Sequence, residues 1–369
     1  MLKIKKLKEI IFYIGIFLMQ FSIFAKNINV IVNISEKMFN FSIVILFICS
    51  IITLIFLKTN KKNWIIFTFL LIIAFFNYYI TKDYVLIILI TSIISAFGIN
   101  FSEIIKKDLI FKLVLFFIIL TAYFTGNVEK IYFIRLGEIR YALGFNHPNS
   151  LGFYVLMYYF EYIYYLKVLG GLKGYKKYIF LIALNILLFY IMNLAHSRTS
   201  QMCMILYNLL LIGSYIINKL KKREKNKTHI VFFSLMFIFL TIISFYLTKQ
   251  YANENVLSIK INELLSNRLL IQNQFVNVYK IKIFGNYVEY FNTLDNSYIR
   301  MLLNYGIISW ITYGIIFVKM LDTADKQKNT ILKINIITFM IYGLMEWYMV
   351  RPVINIFLLF FSSTLQKRS

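Results

Sequence analysis

The sequence predicts an all-α fold, a polytopic transmembrane helical bundle of about twelve spans, and three observations lead there. Of its 369 residues 60% are apolar and 18% aromatic, more apolar surface than a soluble core of that length buries. Apolar runs of about 16 to 22 residues recur along the chain, close to the roughly 20 that a helix needs to cross about 30 Å of hydrocarbon. Lysines gather in short clusters between those runs. The net charge of +24 therefore reads as membrane topology, and no nucleic-acid partner is implied.

The expected spans are, in order, 10–25, 38–57, 64–80, 84–102, 109–126, 149–166, 178–195, 199–217, 229–248, 298–318, 331–345 and 352–365. Lys3, Lys5, Lys6 and Lys8 before the first run imitate a signal peptide. Ser22-Ile23-Phe24-Ala25 is a weak cleavage site, however, so this segment is read as a retained span. With the N-terminus inside, every short inner loop is basic: Lys58, Lys61 and Lys62; Lys106, Lys107 and Lys112; Lys167, Lys173, Lys176 and Lys177; Lys219 to Lys227; Lys319 to Lys333; Lys367 and Arg368. This is the positive-inside pattern of a multi-pass protein with both termini in the cytoplasm. The chain reads as one integral membrane domain, 1–369. Its two long outer segments are 127–148 and the large extracytoplasmic loop 249–297 between spans nine and ten. Long ordered loops tend to carry function. In the second, Ile261, Leu265, Leu269, Val276 and Tyr279 recur at near-helical spacing and predict an interfacial helix. Cys49 and Cys203 fall in apolar runs, as small buried hydrophobes do.

Arginine is distributed differently from lysine. Arg223 and Arg368 fall inside, while Arg135, Arg140, Arg198, Arg268, Arg300 and Arg351 fall on or near the outer face. A planar guanidinium that stays charged suits a diphosphate or an acidic sugar; pairing with outer carboxylates or lipid headgroups is the plainer explanation of any single one. Short polar motifs accompany these arginines. Leu143-Gly144-Phe145-Asn146-His147-Pro148-Asn149-Ser150-Leu151-Gly152 opens the sixth span with proline at a favourable helix start. There Asn146 or Asn149 can cap the helix, and His147 can hydrogen-bond a sugar or shuttle a proton. His196-Ser197-Arg198-Thr199-Ser200 is a polar turn between two spans, where a charge should have a partner or a task. Leu265-Ser266-Asn267-Arg268-Leu269 and Ile283-Phe284-Gly285-Asn286 lie in the large loop. Leu294-Asp295-Asn296-Ser297-Tyr298 opens the tenth span; helix capping explains it, and so does a carboxylate acting as base or orienting an acceptor. Glu161 faces inward, close enough to the inner boundary to snorkel or to pair with Lys167, and is read as structural. The outer face has no paired-aspartate metal motif and no His/Cys cluster, and the chain has no Walker loop or dinucleotide fingerprint, so no metal, ATP or NAD is expected.

GFNHPNSLGF, HSRTS, NRLLI followed by IFG, and LDNSYIRMLLNYGII, in this order over roughly 135–310, resemble the Wzy-type polysaccharide polymerases (O-antigen and capsule polymerases), which belong with the O-antigen ligases. Two departures stand out. Lys282-Ile283 stands where the family often has a proline before Phe-Gly, and Asp295 stands where ligases commonly place a histidine; the second favours polymerase. The resemblance implies a cofactor-free, metal-independent glycosyltransferase in a bacterial cytoplasmic (inner) membrane. It would move a glycan from undecaprenyl diphosphate onto the next lipid-linked oligosaccharide repeat unit at the outer leaflet, with a flippase and a chain-length regulator as partners. It assigns Arg198 and Arg268 to the diphosphate, with Arg135, Arg140 and Arg351 as supporting or sugar contacts beside Asn149, His196 and Asn296. His147 or Asp295 would orient or deprotonate the acceptor. A ligase of the same superfamily and a lipid-linked oligosaccharide flippase are the alternatives.

Overall fold

The computed structural model describes residues 2–25, 32–56, 60–135, 137–168, 170, 175–220, 229–265, 267–289 and 294–366. Helices dominate: α1 (Leu2–Ala25), α2 (Val32–Phe56), α3 (Lys61–Thr81), α4 (Val85–Ala96), α5 (Phe101–Phe124), α6 (Pro148–Val168), α7 (Tyr175–Leu194), α8 (Arg198–Leu220), α9 (Ile230–Ala252), α10 (Val256–Leu264), α11 (Arg268–Val278), α12 (Ser297–Arg300), α13 (Gly306–Lys326), α14 (Thr330–Tyr342) and α15 (Phe360–Thr364). Among the described residues six helical stretches are long and apolar enough to cross a membrane: Lys3–Ala25, Ile34–Phe56, Lys61–Thr81, Arg198–Ile217, Ile230–Ala252 and Ser297–Lys326. The chain is thus an all-α, multi-pass membrane protein. Val85–Ala96, Ile179–Leu194 and Thr330–Tyr342 are apolar but shorter. Exposed Phe69, Phe76, Phe117, Ile182, Leu209, Phe232 and Phe239 are what a lipid-facing surface requires, since hydrocarbon solvates them.

Asparagine sets several helix starts. Asn60, Asn100, Asn255, Asn296 and Asn329 each accept backbone N–H groups of the first turn, satisfying donors that have no partner within the helix. Asn100 explains one shifted boundary. Its Oδ1 accepts the Ser102 N–H at 2.9 Å, so α5 begins at Phe101, and the run expected to span 84–102 ends as the twelve-residue α4. The last expected span is a broken segment, a 3₁₀ turn at Ile356–Leu359 followed by α15. Pro352, which lacks a backbone donor and disfavours helix before it, stands at its entrance.

The chain divides into two compact units, Met1–Leu57 with Ser95–Lys222, and Lys58–Ile94 with Arg223–Ser369. In the first, α1 packs on α2 and α5, α5 on α6, and α6 on α7 and α8. An antiparallel hairpin, β1 (Tyr132–Arg135) with β2 (Glu138–Tyr141), pairs Arg135 with Glu138 and Phe133 with Arg140. In the second, α9 packs on α11 and α13, and α13 on α14, α15 and α3.

Two departures from the expected elements lie in the second unit. The single loop helix is two helices, α10 and α11, turned at Asn267, whose φ of 64° is left-handed. Asn262 spans that corner: its Nδ2 donates to Asn267 Oδ1 at 3.1 Å, and its Oδ1 accepts the Leu270 N–H at 3.1 Å. The expected tenth span runs from Ser297 to Lys326 but carries a π-helical turn at Met301–Tyr305 and, after it, Gly306 at a non-helical φ of +84°. The bent segment 282–286 fills that turn. Ile307 and Ile308 donate to the Lys282 and Ile283 carbonyls at 3.0 and 3.1 Å, and Asn286 donates to Asn304 O at 3.1 Å. Asn77 of α3 donates to Phe284 O at 2.9 Å and to Tyr305 O at 2.7 Å. Gly285, at φ +91°, makes the contact possible: a Cβ there would overlap the Asn304 carbonyl.

Candidate functional site

In the first unit the β-hairpin, the start of α6 and the turn between α7 and α8 bring five of the sequence candidates together. Arg140 is 6% exposed. Its Nε donates to Ala195 O at 3.1 Å, and a terminal nitrogen donates to Asn149 Oδ1 at 2.6 Å. The hairpin is thereby tied to both motif-bearing helices. His147 Nδ1 accepts the Asn149 N–H at 3.1 Å, which leaves the other ring nitrogen to carry the proton in the neutral imidazole. Its ring packs on Phe133, with centroids 4.9 Å apart. The motifs GFNHPNSLGF and HSRTS meet at Gly152, where a Cβ would overlap the Ser197 side chain. His196 Nδ1 lies 3.1 Å from Glu138 Oε2, and an Arg198 terminal nitrogen lies 3.9 Å from the same oxygen. Arg198 is 50% exposed, and among the described residues its side chain is held by this long ion pair. A half-exposed guanidinium at a helix N-terminus, with an imidazole alongside, is suited to bind an anion. The Arg135 side chain lies outside the described residues.

In the second unit the candidates form a denser network. Arg268, the first residue of α11, is buried between two carboxylates: Nε lies 3.1 Å from Asp295 Oδ2, and a terminal nitrogen donates to Glu346 Oε1. Burial works against its charge, but Glu346 and Asp295 outweigh that and hold its pKa above the ordinary guanidinium value. Asp295 moves the other way: burial pushes its carboxyl above the ordinary carboxylate range, although Arg268 and Arg300 pull it down. A carboxylate so raised is a better proton acceptor than a solvated one. Asn296 is occupied structurally. Its Oδ1 caps α12 at Tyr298 and Ile299, and its Nδ2 donates to Ser244 Oγ at 3.1 Å and Leu344 O at 2.9 Å.

Beside this network the Arg300 guanidinium lies 4.0 Å, and that of Arg351 3.1 Å, from the centre of the Trp347 ring. Arg300 also approaches Asp83 Oδ2 at 3.9 Å and donates to Tyr305 Oη at 3.3 Å, and Tyr305 donates to Asp83 at 3.1 Å. Arg351 Nε is buried without a hydrogen-bond partner. Burial and the neighbouring positive charge of Arg300 lower the Arg351 pKa to about 10, which leaves it charged at neutral pH. Two cations against one indole ring form a locally positive spot that an anion would balance. Asp83, Glu346, Tyr305 and Trp347 were not legible as partners. Asp83 lies between α3 and α4, far away in sequence, and nothing in the spacing connects it to Arg300.

One residue read as structural has a different partner from the expected one. Glu161 does not reach for Lys167; it is fully buried and pairs with Lys112 of α5, which is also in contact with Asp108 at 2.7 Å. Among the described residues no three His, Cys, Asp or Glu side chains gather as a metal site. Neither a family model nor a curated protein nor a solved structure matches the chain.

Proposed function

We propose that this protein is a Wzy-type polysaccharide polymerase of a bacterial cytoplasmic membrane. In this reading twelve passages place both termini inside, and the loop 249–297 lies on the outer face. The protein transfers a growing glycan from undecaprenyl diphosphate to the next lipid-linked repeat unit. The observation that carries the proposal is the set of arginines kept on the expected outer face, three of them (Arg198, Arg268 and Arg300) inside motifs, together with four motifs in family order.

The reaction separates a lipid diphosphate from the anomeric carbon while an acceptor hydroxyl attacks. It needs cations for the developing diphosphate charge and an acceptor for the hydroxyl proton. Arg198 is the cation most available for the first task, being half exposed, and the Arg300–Arg351 pair is a further source of positive charge. Arg268 takes a different part from the one the resemblance gives it: neutralised by Asp295 and Glu346, it positions Asp295. His147 and Asp295 both stay candidates for the proton acceptor. Arg140 and Asn149 hold the His147 turn in place.

A lipid-linked oligosaccharide flippase is the second reading. The buried Asp108–Lys112–Glu161 cluster favours it, because transporters keep ionisable groups within their bundles. A deletion strain separates the two: single-repeat lipid-linked units accumulating on the outer side support the polymerase, and the same units held on the cytoplasmic side overturn it in favour of the flippase.

A further inference from the structure

Helices α1, α5 and α6 enclose a group of polar side chains that the proposed glycosyl transfer does not use. Gln20, Asp108, Lys112 and Glu161 are each no more than 1% exposed. Gln20 Nε2 donates to Asp108 Oδ1 at 2.7 Å. Lys112 Nζ lies 2.7 Å from Asp108 Oδ2 and donates to Glu161 Oε1. The remaining Glu161 oxygen, Oε2, is buried with no partner, and Asp108 Oδ2 touches Lys112 without hydrogen-bond geometry.

The charges do not balance: two carboxylates face one ammonium. Among the described residues the other groups nearby supply no cation. Tyr13 comes from α1, Tyr154 and Tyr158 from α6, and the Tyr154 hydroxyl donates to the Lys112 carbonyl. Lys107 of α5 is engaged with Glu9 at 3.2 Å and the Tyr13 ring at 4.0 Å. A buried carboxylate oxygen without a partner is strongly disfavoured while it is ionised.

We propose that Asp108 and Glu161 form a proton-binding site that holds one proton at neutral pH, with Lys112 compensating the second carboxylate. The proton sits at the unpartnered Glu161 oxygen, and any movement that lets water into the cluster releases it. The inference is independent of the activity assigned above.

The test is infrared spectroscopy of the purified full chain in bilayers at neutral pH, read at the C=O stretch of a protonated carboxylic acid. The wild-type protein should show this band. Glu161→Gln and Asp108→Asn should each abolish it, because either leaves one carboxylate facing one ammonium. Lys112→Met should enlarge it about twofold, both acids then being protonated. Should Lys112→Met fail to fold, the two amide variants still decide, since each keeps the shape and the hydrogen bonds of a protonated carboxyl. Wild-type and Glu161→Gln spectra that superimpose in this region would overturn the proposal. So would a band that appears only when sodium is removed, which would mark a sodium site instead.

Discussion

Arg268 and Arg198 stand in similar polar sequence contexts, yet their surroundings give them different tasks. Arg268 is enclosed by Asp295 and Glu346, so removing one carboxylate leaves the buried cation one counter-charge and takes an acceptor from its guanidinium. Glu346→Ala is expected to destabilise the protein by about 1–3 kcal/mol, seen as a lowered melting temperature of the purified chain. Arg198 has one long ion pair to a half-exposed Glu138, and such pairs contribute about 0–1 kcal/mol. Arg198→Ala should therefore leave protein level and melting unchanged while sharply reducing polymer amount and length; full-length polymer at normal amount would remove Arg198 from the site. The sequence shows which arginines sit apart from the lysines, because that is a matter of position along the chain. It cannot show which of them are neutralised. Glu346 is 78 residues from Arg268, and a contact across that distance leaves no local pattern.

Span-length helices are legible because hydrocarbon imposes length and polarity directly on the sequence. α1, α2, α3, α8 and α9 accordingly fall where the apolar runs place them. Elements shaped by tertiary contact are less visible. The hairpin of β1 and β2 carries Glu138 and Arg140 to the α7–α8 turn and the α6 start, but its strands have only four residues each, too few for alternation to stand out. The π turn at Met301–Tyr305 is hidden for another reason: it depends on segment 282–286 and on Asn77, both outside the helix. The Ile283-Phe284-Gly285 motif thus has a structural role beside any functional one. Gly285→Ala should cost at least about 1–3 kcal/mol from backbone conformation alone, with added overlap against Asn304. The expected result is a lower melting temperature and less folded protein in the membrane. Unchanged melting would show that the segment does not support the turn.

Across the whole chain, lysine clusters and apolar runs agree on a multi-pass protein, and reporter fusions test its orientation. A fusion within 221–227 should report a cytoplasmic position, and one within 253–256 an outer one; the reverse pattern would invert the proposed topology. Activity is a further step, carried by arginine placement and motif order, and it concerns which lipid-linked species the cell cannot process without this protein. The most direct measurement is therefore the composition and sidedness of undecaprenyl-diphosphate-linked glycans in a strain lacking the gene. Single repeat units accumulating on the outer leaflet, with polymer restored by the wild-type chain and not by Arg198→Ala, is the predicted result. Normal polymer in the deletion strain, or repeat units trapped on the cytoplasmic side, would contradict it.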